Sequence, residues 1–207
     1  MSGVKGFISF EGIEGAGKST QIKALAEYLR SKGHDVVETV EPGGTNIGYK
    51  IRELLLDPQN HMDPLAELLL YYSSRAQHVK EIIAPAINAG RVVITDRYTD
   101  STVAYQGYAR GIDLELIKKL NEIVVPEMKP SLTLMLDLEV EEGLRRNRAA
   151  NKEDRFELEA VEFHKRVRDG FHKIAEAEPE RVKIVDASVS SEEVARKIIE
   201  IIEEVWR

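Results

Sequence analysis

The sequence predicts an α/β protein: a parallel sheet of five strands with helices on both faces. Three observations predict it. Short apolar runs recur at residues 6–10, 36–40, 91–95, 132–138 and 182–185. The stretches between them place apolar residues at helical spacing. The first run leads straight into Gly12-Ile13-Glu14-Gly15-Ala16-Gly17-Lys18-Ser19-Thr20, a glycine-rich turn that opens a helix. Such strand–turn–helix units join parallel strands through right-handed crossovers.

Each element has its own signals. Residues 20–31 carry Ile22, Leu25, Ala26 and Leu29 on one face, with Gly33 as the stop. A short helix is predicted over 46–56, ended by Asp57-Pro58. Asp63-Pro64 opens a long one, with proline at the first helical position. Pro85 predicts a bend before Gly90. Further helices are predicted at 113–124, 140–149, 157–177 and 190–206. Ser190 caps the last, with Glu193 three residues on.

The whole chain, 1–207, reads as one domain. Its 207 residues, 43% hydrophobic and 31% charged, suit a soluble globular protein. No apolar run approaches the ~18 residues of a membrane span, and the first strand begins too early for a leader peptide. No cysteine is present, which excludes disulfides and thiolate metal sites. A net charge of −7 gives no basic field for nucleic acid. These features suit a cytoplasmic protein with no membrane and no nucleic-acid partner.

The chemistry concentrates at the carboxyl ends of the predicted strands, where ligands bind in open parallel sheets. Gly12 to Ser19 fits G-x-x-x-x-G-K-S, the phosphate-binding loop. Its glycines let backbone N–H groups turn inward on phosphate oxygens. Lys18 supplies charge for the β- and γ-phosphates, and the Ser19 hydroxyl suits Mg²⁺. Asp96 follows the third strand, placed to hold Mg²⁺ or to pair with Lys18; alternatively it caps the next helix. Arg97 beside it suits bidentate phosphate recognition or a surface ion pair. Glu41-Pro42-Gly43-Gly44-Thr45 is turn chemistry placed where a ligand contact is expected. Tyr71 and Arg75 lie four apart on one helical face, suited either to a base or to core packing and a salt bridge. Ser101 through Gly107 lines a pocket or forms a polar helix face. The basic cluster Arg145, Arg146, Arg148, Lys152 and Arg155, flanked by acids, is a solvated helix end or a mobile lid that brings arginines to a transferring phosphoryl group. The five histidines show no ligand spacing and read as structural or surface residues.

In this order, the motifs resemble those of the thymidylate kinases, within the nucleoside-monophosphate kinases. The matching words are residues 10–21, Glu41 through Thr45, Tyr71 through Gln77, Asp96-Arg97-Tyr98 with Ser101 through Gly107, residues 145–157, and Val185-Asp186-Ala187. The resemblance covers nearly the whole chain. It implies a three-layer α/β/α P-loop kinase fold with a lid at about 145–157. It also implies transfer of a phosphoryl group from ATP to thymidine 5′-monophosphate, with Mg²⁺, in thymidine triphosphate synthesis. ATP would be held by Gly12, Ile13, Glu14, Gly15, Ala16, Gly17, Lys18, Ser19 and Thr20, with Asp186 and Ala187 near the adenine. Ser19 and Asp96 would serve the metal. On the acceptor side, Arg97 would hold the phosphate, Glu14 would face the sugar 3′-hydroxyl, and Tyr71 would stack on thymine. Arg75 would reach a base carbonyl, with Glu41, Ser101, Thr102 and Gln106 completing the pocket. Tyr105 would lie under the sugar and exclude a 2′-hydroxyl. The phosphate loop lacks the arginine of some relatives, so Arg148 and Arg155 of the lid would join Lys18 and Arg97 as catalytic residues. Tyr71 stands where phenylalanine is common, Ser74 where an acid is common, and Val40 where arginine is frequent. The resemblance further implies a homodimer packed through helices that include residues 65–72. The rival readings are another monophosphate kinase, a nucleotide-dependent regulatory switch and an ATP-dependent ligase.

Overall fold

Strands β1 (Val4–Glu11), β2 (Val36–Val40), β3 (Val92–Asp96), β4 (Pro130–Asp137) and β5 (Val182–Asp186) form one sheet in the order β2-β3-β1-β4-β5. Every pairing is parallel. The computed structural model describes residues 4–149 and 154–206 of the chain.

The central strands are apolar on both faces, as a sheet covered twice requires. Ile8, Phe10 and Ile94 share a core with Ile22 and Leu25 and with Ile198. Phe7 and Val93 share a second core with Ile83, Ala86 and Tyr98. Alternation along the strand sends these two sets to opposite sides.

The helices are α1 (Lys18–Ser31), α2 (Asn46–Leu56), α3 (Pro64–His78), α4 (Ala84–Asn88), α5 (Thr99–Thr102), α6 (Leu114–Val124), α7 (Val140–Ala149), α8 (Val161–Ala177) and α9 (Ser191–Val205). Their caps follow the sequence signals. Thr45 accepts from Gly48 N, Asp63 from Leu65 N and Ser190 from Glu193 N. Gly33, at φ 89°, closes α1 in the left-handed conformation. The bend expected at Pro85 is a π-helical turn, Val79–Ile83, joining α3 to α4. Proline lacks an N–H, and the wider turn absorbs the missing bond.

One expectation is corrected. Residues 157–160 are not helical; α8 starts at Val161. The preceding segment is a turn in which the Asp154 side chain accepts from Phe156 N and Glu157 N. Residues 99–109 are helical throughout, so Ser101 through Gly107 lie on a helix whose Ser101, Thr102, Tyr105 and Gln106 also line the cleft: α5 runs into a π-helical segment, Val103–Ala109.

Register places the site. Phe10 lies opposite Asp96, and Val40 also lies opposite Asp96. The loops after β1, β2 and β3 therefore leave the sheet side by side.

Candidate active site

The loop after β1 forms the floor of the site. Gly17, at φ 90°, is the N-cap of α1, with no side chain on the first helical N–H groups. Those donors and the helix dipole are left for an anion. Gly15, at φ 76°, packs against α7: a Cβ there would stand 2.2 Å from the Gly143 carbonyl oxygen. The phosphate loop and the helix leading to the lid thus touch backbone to backbone, through Gly143, which no motif marks in advance. Lys18 does not pair with Asp96. Its Nζ donates to the Gly12 and Ile13 carbonyl oxygens at 3.1 and 3.0 Å. Burial, together with the Arg97 charge, lowers its pKa to about 8. Asp96 does not cap a helix either, since the N-cap of α5 is Tyr98. Its Oδ2 accepts from the Ser19 hydroxyl at 3.4 Å, and its Oδ1 is buried without a partner.

Arg97 holds the centre of the cleft. Its backbone is left-handed, at φ 69°, the only positive φ among described non-glycine residues. Three bonds impose that conformation: Arg97 N to the Phe10 carbonyl, the Thr95 hydroxyl to the Arg97 carbonyl, and Tyr98 N to Glu11 Oε1. The guanidinium donates to the Gly12 carbonyl at 3.0 Å, to Ser101 Oγ at 3.2 Å and to Glu14 Oε1 at 2.9 Å. It also lies over the Tyr105 ring, 4.9 Å from its centroid. Glu14 accepts from the Tyr105 hydroxyl at 2.6 Å and faces His164 Nδ1 at 3.5 Å. Burial raises the Glu14 pKa, but Arg97, His164, Lys18 and Tyr105 outweigh it and hold the carboxyl well below the usual range.

Behind this pair lies Glu11, fully buried, accepting from Tyr98 N and the Ser101 hydroxyl. Burial and the neighbouring Asp100 push its pKa up to about 7 from 4.5. Between those values the folded chain holds a proton that the unfolded chain has lost, so this group's contribution to stability falls as pH rises through the window. Glu11→Gln is therefore expected to gain in Tm relative to the wild type between about pH 5 and about pH 8. An identical Tm difference at both ends would contradict this.

The base side comes from α3 and the helical run after β3. Arg75 is 1% exposed. Its Nε donates to Glu41 Oε2 at 2.7 Å and its Nη2 to the Tyr98 carbonyl and Thr102 Oγ1. Its Nη1 is buried with no partner. Glu41 is consumed by Arg75 and His78, whose Nδ1 lies 2.9 Å from Glu41 Oε1. Glu41 thus acts through Arg75. Tyr71, half-buried, leans toward Phe156 with ring centroids 6.5 Å apart. Gln106 Nε2 donates to Glu67 Oε1 at 2.8 Å.

The lid arginines divide. Arg145 is exposed on Glu142. Arg146 lines the cleft, with Nε on Glu142 and Nη1 on the Ala187 carbonyl. Arg148 is exposed, and among the described residues its guanidinium meets only the Leu144 carbonyl, through Nε at 3.3 Å. Arg155 is nearly buried, bound to the Leu55 carbonyl and to Glu67 at 2.6 Å. Lys152 and Glu153 lie outside the described residues.

One cleft of about 380 Å³ gathers most of the expected residues. Its lining includes Glu14, Gly15, Gly17, Lys18, Ser19, Thr20, Glu41, Tyr71, Arg75, Asp96, Arg97, Ser101, Thr102, Tyr105 and Gln106. Gly12, Ile13 and Ala16 support the loop from behind. Asp186 is exposed at the end of β5, bound to Ser188, and Ala187 reaches the site through Arg146. Sequence reasoning missed Arg52, Asn147, Asp154, Phe156 and Glu157 in the lining. Of the two readings of the histidines, His78 and His164 take the structural one, buried against Glu41 and Glu14. Among the described residues, no group of three or more His, Asp or Glu side chains forms a metal cage. The orphaned Asp96 Oδ1 beside the Ser19 hydroxyl fits a hard cation held mainly by water and phosphate oxygens.

The family model described as thymidylate kinase matches residues 10–198. The thymidylate kinase of Syntrophotalea carbinolica is 52% identical over 93% of this chain and 92% of its own length. That of Geotalea uraniireducens is 52% identical over 93% of each. The crystal structure of thymidylate kinase from Ehrlichia chaffeensis superposes with a TM-score of 0.77 at 38% identity, covering 95% of this chain and 97% of that one. The matched span and these identities show that this chain belongs to the thymidylate kinase family.

Proposed function

We propose that the protein transfers the γ-phosphoryl group of ATP to thymidine 5′-monophosphate, yielding ADP and thymidine diphosphate. One observation carries the reading: a triphosphate loop and a base pocket open into the same cleft, with Arg97 between them.

The chemistry needs little from the protein beyond placement and charge. The acceptor is a phosphate monoester with a second pKa of about 6, so it is mostly dianionic at neutral pH and needs no general base. Lys18 leaves the Gly12 and Ile13 carbonyls for the donor phosphates, and their negative charge favours its protonated form. Arg97 is already forked toward the cleft by its left-handed backbone; the acceptor phosphate takes the place of Glu14 on its guanidinium. The freed Glu14, still anchored by Tyr105, then accepts from the sugar 3′-hydroxyl. Arg75 Nη1, the one donor on that side chain without a partner, meets a base carbonyl. Tyr71 stacks on the ring, and Tyr105 fills the space that a 2′-hydroxyl would need. Asp96 and Ser19 would hold Mg²⁺, which when bound supplies positive charge across the donor phosphates.

Incubation with γ-labelled ATP and thymidine monophosphate tests the reading. Label should appear in the nucleoside diphosphate; label released only as inorganic phosphate would favour a hydrolytic switch instead.

The protein acts in the cytoplasm as a homodimer in this reading. Leu65 and Leu69 stand 48% and 47% exposed on one face of α3, and burial of such a stripe favours association. Light scattering should give twice the 23.3 kDa chain mass, and Leu69→Glu should give the single mass. A monomer from the unaltered chain would reject the dimer.

A further inference from the structure

We infer that Glu67 sets the hydrogen-bonding sense of Gln106, making the pocket select a pyrimidine that carries N–H at ring position 3. The inference rests on the nucleotide reading above and deepens it.

Glu67 lies on α3 and is 1% exposed. Four nitrogen donors from three residues, on the helical run after β3 and on the lid segment, converge on its carboxylate. Oε1 accepts from Gln106 Nε2 at 2.8 Å and from Arg110 Nε at 3.4 Å. Oε2 accepts from Arg155 Nη2 at 2.6 Å and from Arg110 Nη2 at 3.4 Å. A carboxylate between two guanidinium groups only accepts. The carboxamide of Gln106 must therefore turn its NH₂ toward Glu67 and its oxygen the other way. Gln106 lines the cleft one helical turn beyond Thr102, which itself binds Arg75. Among the described residues no group donates to Gln106 Oε1. The pocket thus presents an acceptor there, fixed by a residue that does not line it.

The consequence is a sign. Thymine and uracil carry an N–H at position 3 and satisfy an acceptor. Cytosine carries a lone pair there and faces it oxygen to nitrogen, leaving both groups without a proton. Arg75 adds a second reading of the same kind, because its free Nη1 can only donate and suits a carbonyl rather than an amino group at position 4. Glu67 is thus a positioning residue for one of two readers. Its removal narrows the preference without inverting it.

Glu67→Gln tests this in the full-length chain. An amide at position 67 can donate to Gln106 as well as accept from it, so the Gln106 carboxamide is free to turn over. The readout is the ratio of kcat/KM for thymidine monophosphate to that for deoxycytidine monophosphate. The ratio should narrow by about 10-fold or more in E67Q, the scale of one unpaired hydrogen-bonding group. R155M removes a partner of Glu67 but leaves Gln106 locked. It should lower both substrates in parallel and keep the wild-type ratio, which separates amide orientation from a general loosening of the lid. An unchanged ratio in E67Q overturns the inference. If E67Q fails to fold, Q106M decides: a ratio narrowed to the same degree supports the inference, and the wild-type ratio overturns it. A wild type inactive on thymidine monophosphate removes the nucleotide reading, and this inference with it. An active wild type with an unchanged E67Q ratio removes this inference alone.

Discussion

Arg97→Ala is expected to lower kcat/KM for thymidine monophosphate by about 10³-fold or more, the scale of an arginine that carries transition-state charge. The chain holds Arg97 in a left-handed conformation, pinned on both sides by backbone bonds, and the result is a guanidinium aimed between the phosphate loop and Ser101. Three of its contacts are acceptors that an incoming phosphate can share or displace. Arg97→Lys should recover little, because a lysine offers a point charge where a planar fork is required. In Arg97→Ala, Glu14 loses its main counter-charge, so its carboxyl pKa should rise toward the ordinary range. Steady-state kinetics would show the loss in kcat/KM; near-wild-type rates in Arg97→Ala would remove Arg97 from the phosphate site.

The second large effect separates the lid arginines. Arg148→Ala is expected to lower kcat by about 10³-fold with little change in KM, as for a residue that meets charge only as it transfers. Arg148 stands on the last turn of α7 and, among the described residues, has no carboxylate partner. Arg155 has the opposite character. It is tied to the Leu55 carbonyl and to Glu67, and its guanidinium lies 4.7 Å from the centroid of Phe156, which faces Tyr71 and Tyr105. Arg155→Ala should therefore act mainly on KM for the monophosphate, with kcat lowered by about 10-fold or less. Equal kcat losses in the two variants would contradict the division and return Arg155 to the phosphoryl group.

Much of this was legible in the sequence, for physical reasons that can be named. The phosphate loop is local: its glycines, lysine and serine act within eight residues, so spacing alone defines it. The sheet was legible because central strands buried on both faces are continuous apolar runs. Helix ends followed Thr45, Asp63, Ser190 and Gly33 because capping is a local bond. What stayed hidden depends on distant partners. Glu67 and Arg155 are 88 residues apart in sequence, and nothing in either neighbourhood marks them as a pair. His164 and His78 read as surface or filler until the fold set them against Glu14 and Glu41. The helical run over 99–109 was legible only as one of two readings, because it is buried on several sides and carries polar groups that face the cleft, so it has no amphipathic stripe. Residues 157–160 resemble helix in composition, but Asp154 closes a turn there that sets Phe156 over the pocket.

The most direct test of the central claim is kcat/KM with ATP and Mg²⁺ across a panel of thymidine, deoxyuridine, uridine, adenosine and guanosine monophosphates. Thymidine monophosphate should lead. Deoxyuridine monophosphate should follow within about 10–200-fold, because a single methyl group separates the two. Uridine monophosphate should be far poorer, excluded by Tyr105, and the purines should be inactive. A purine monophosphate at the head of the panel, or uridine equal to deoxyuridine monophosphate, would contradict the pocket built from Tyr71, Arg75, Tyr105 and Gln106.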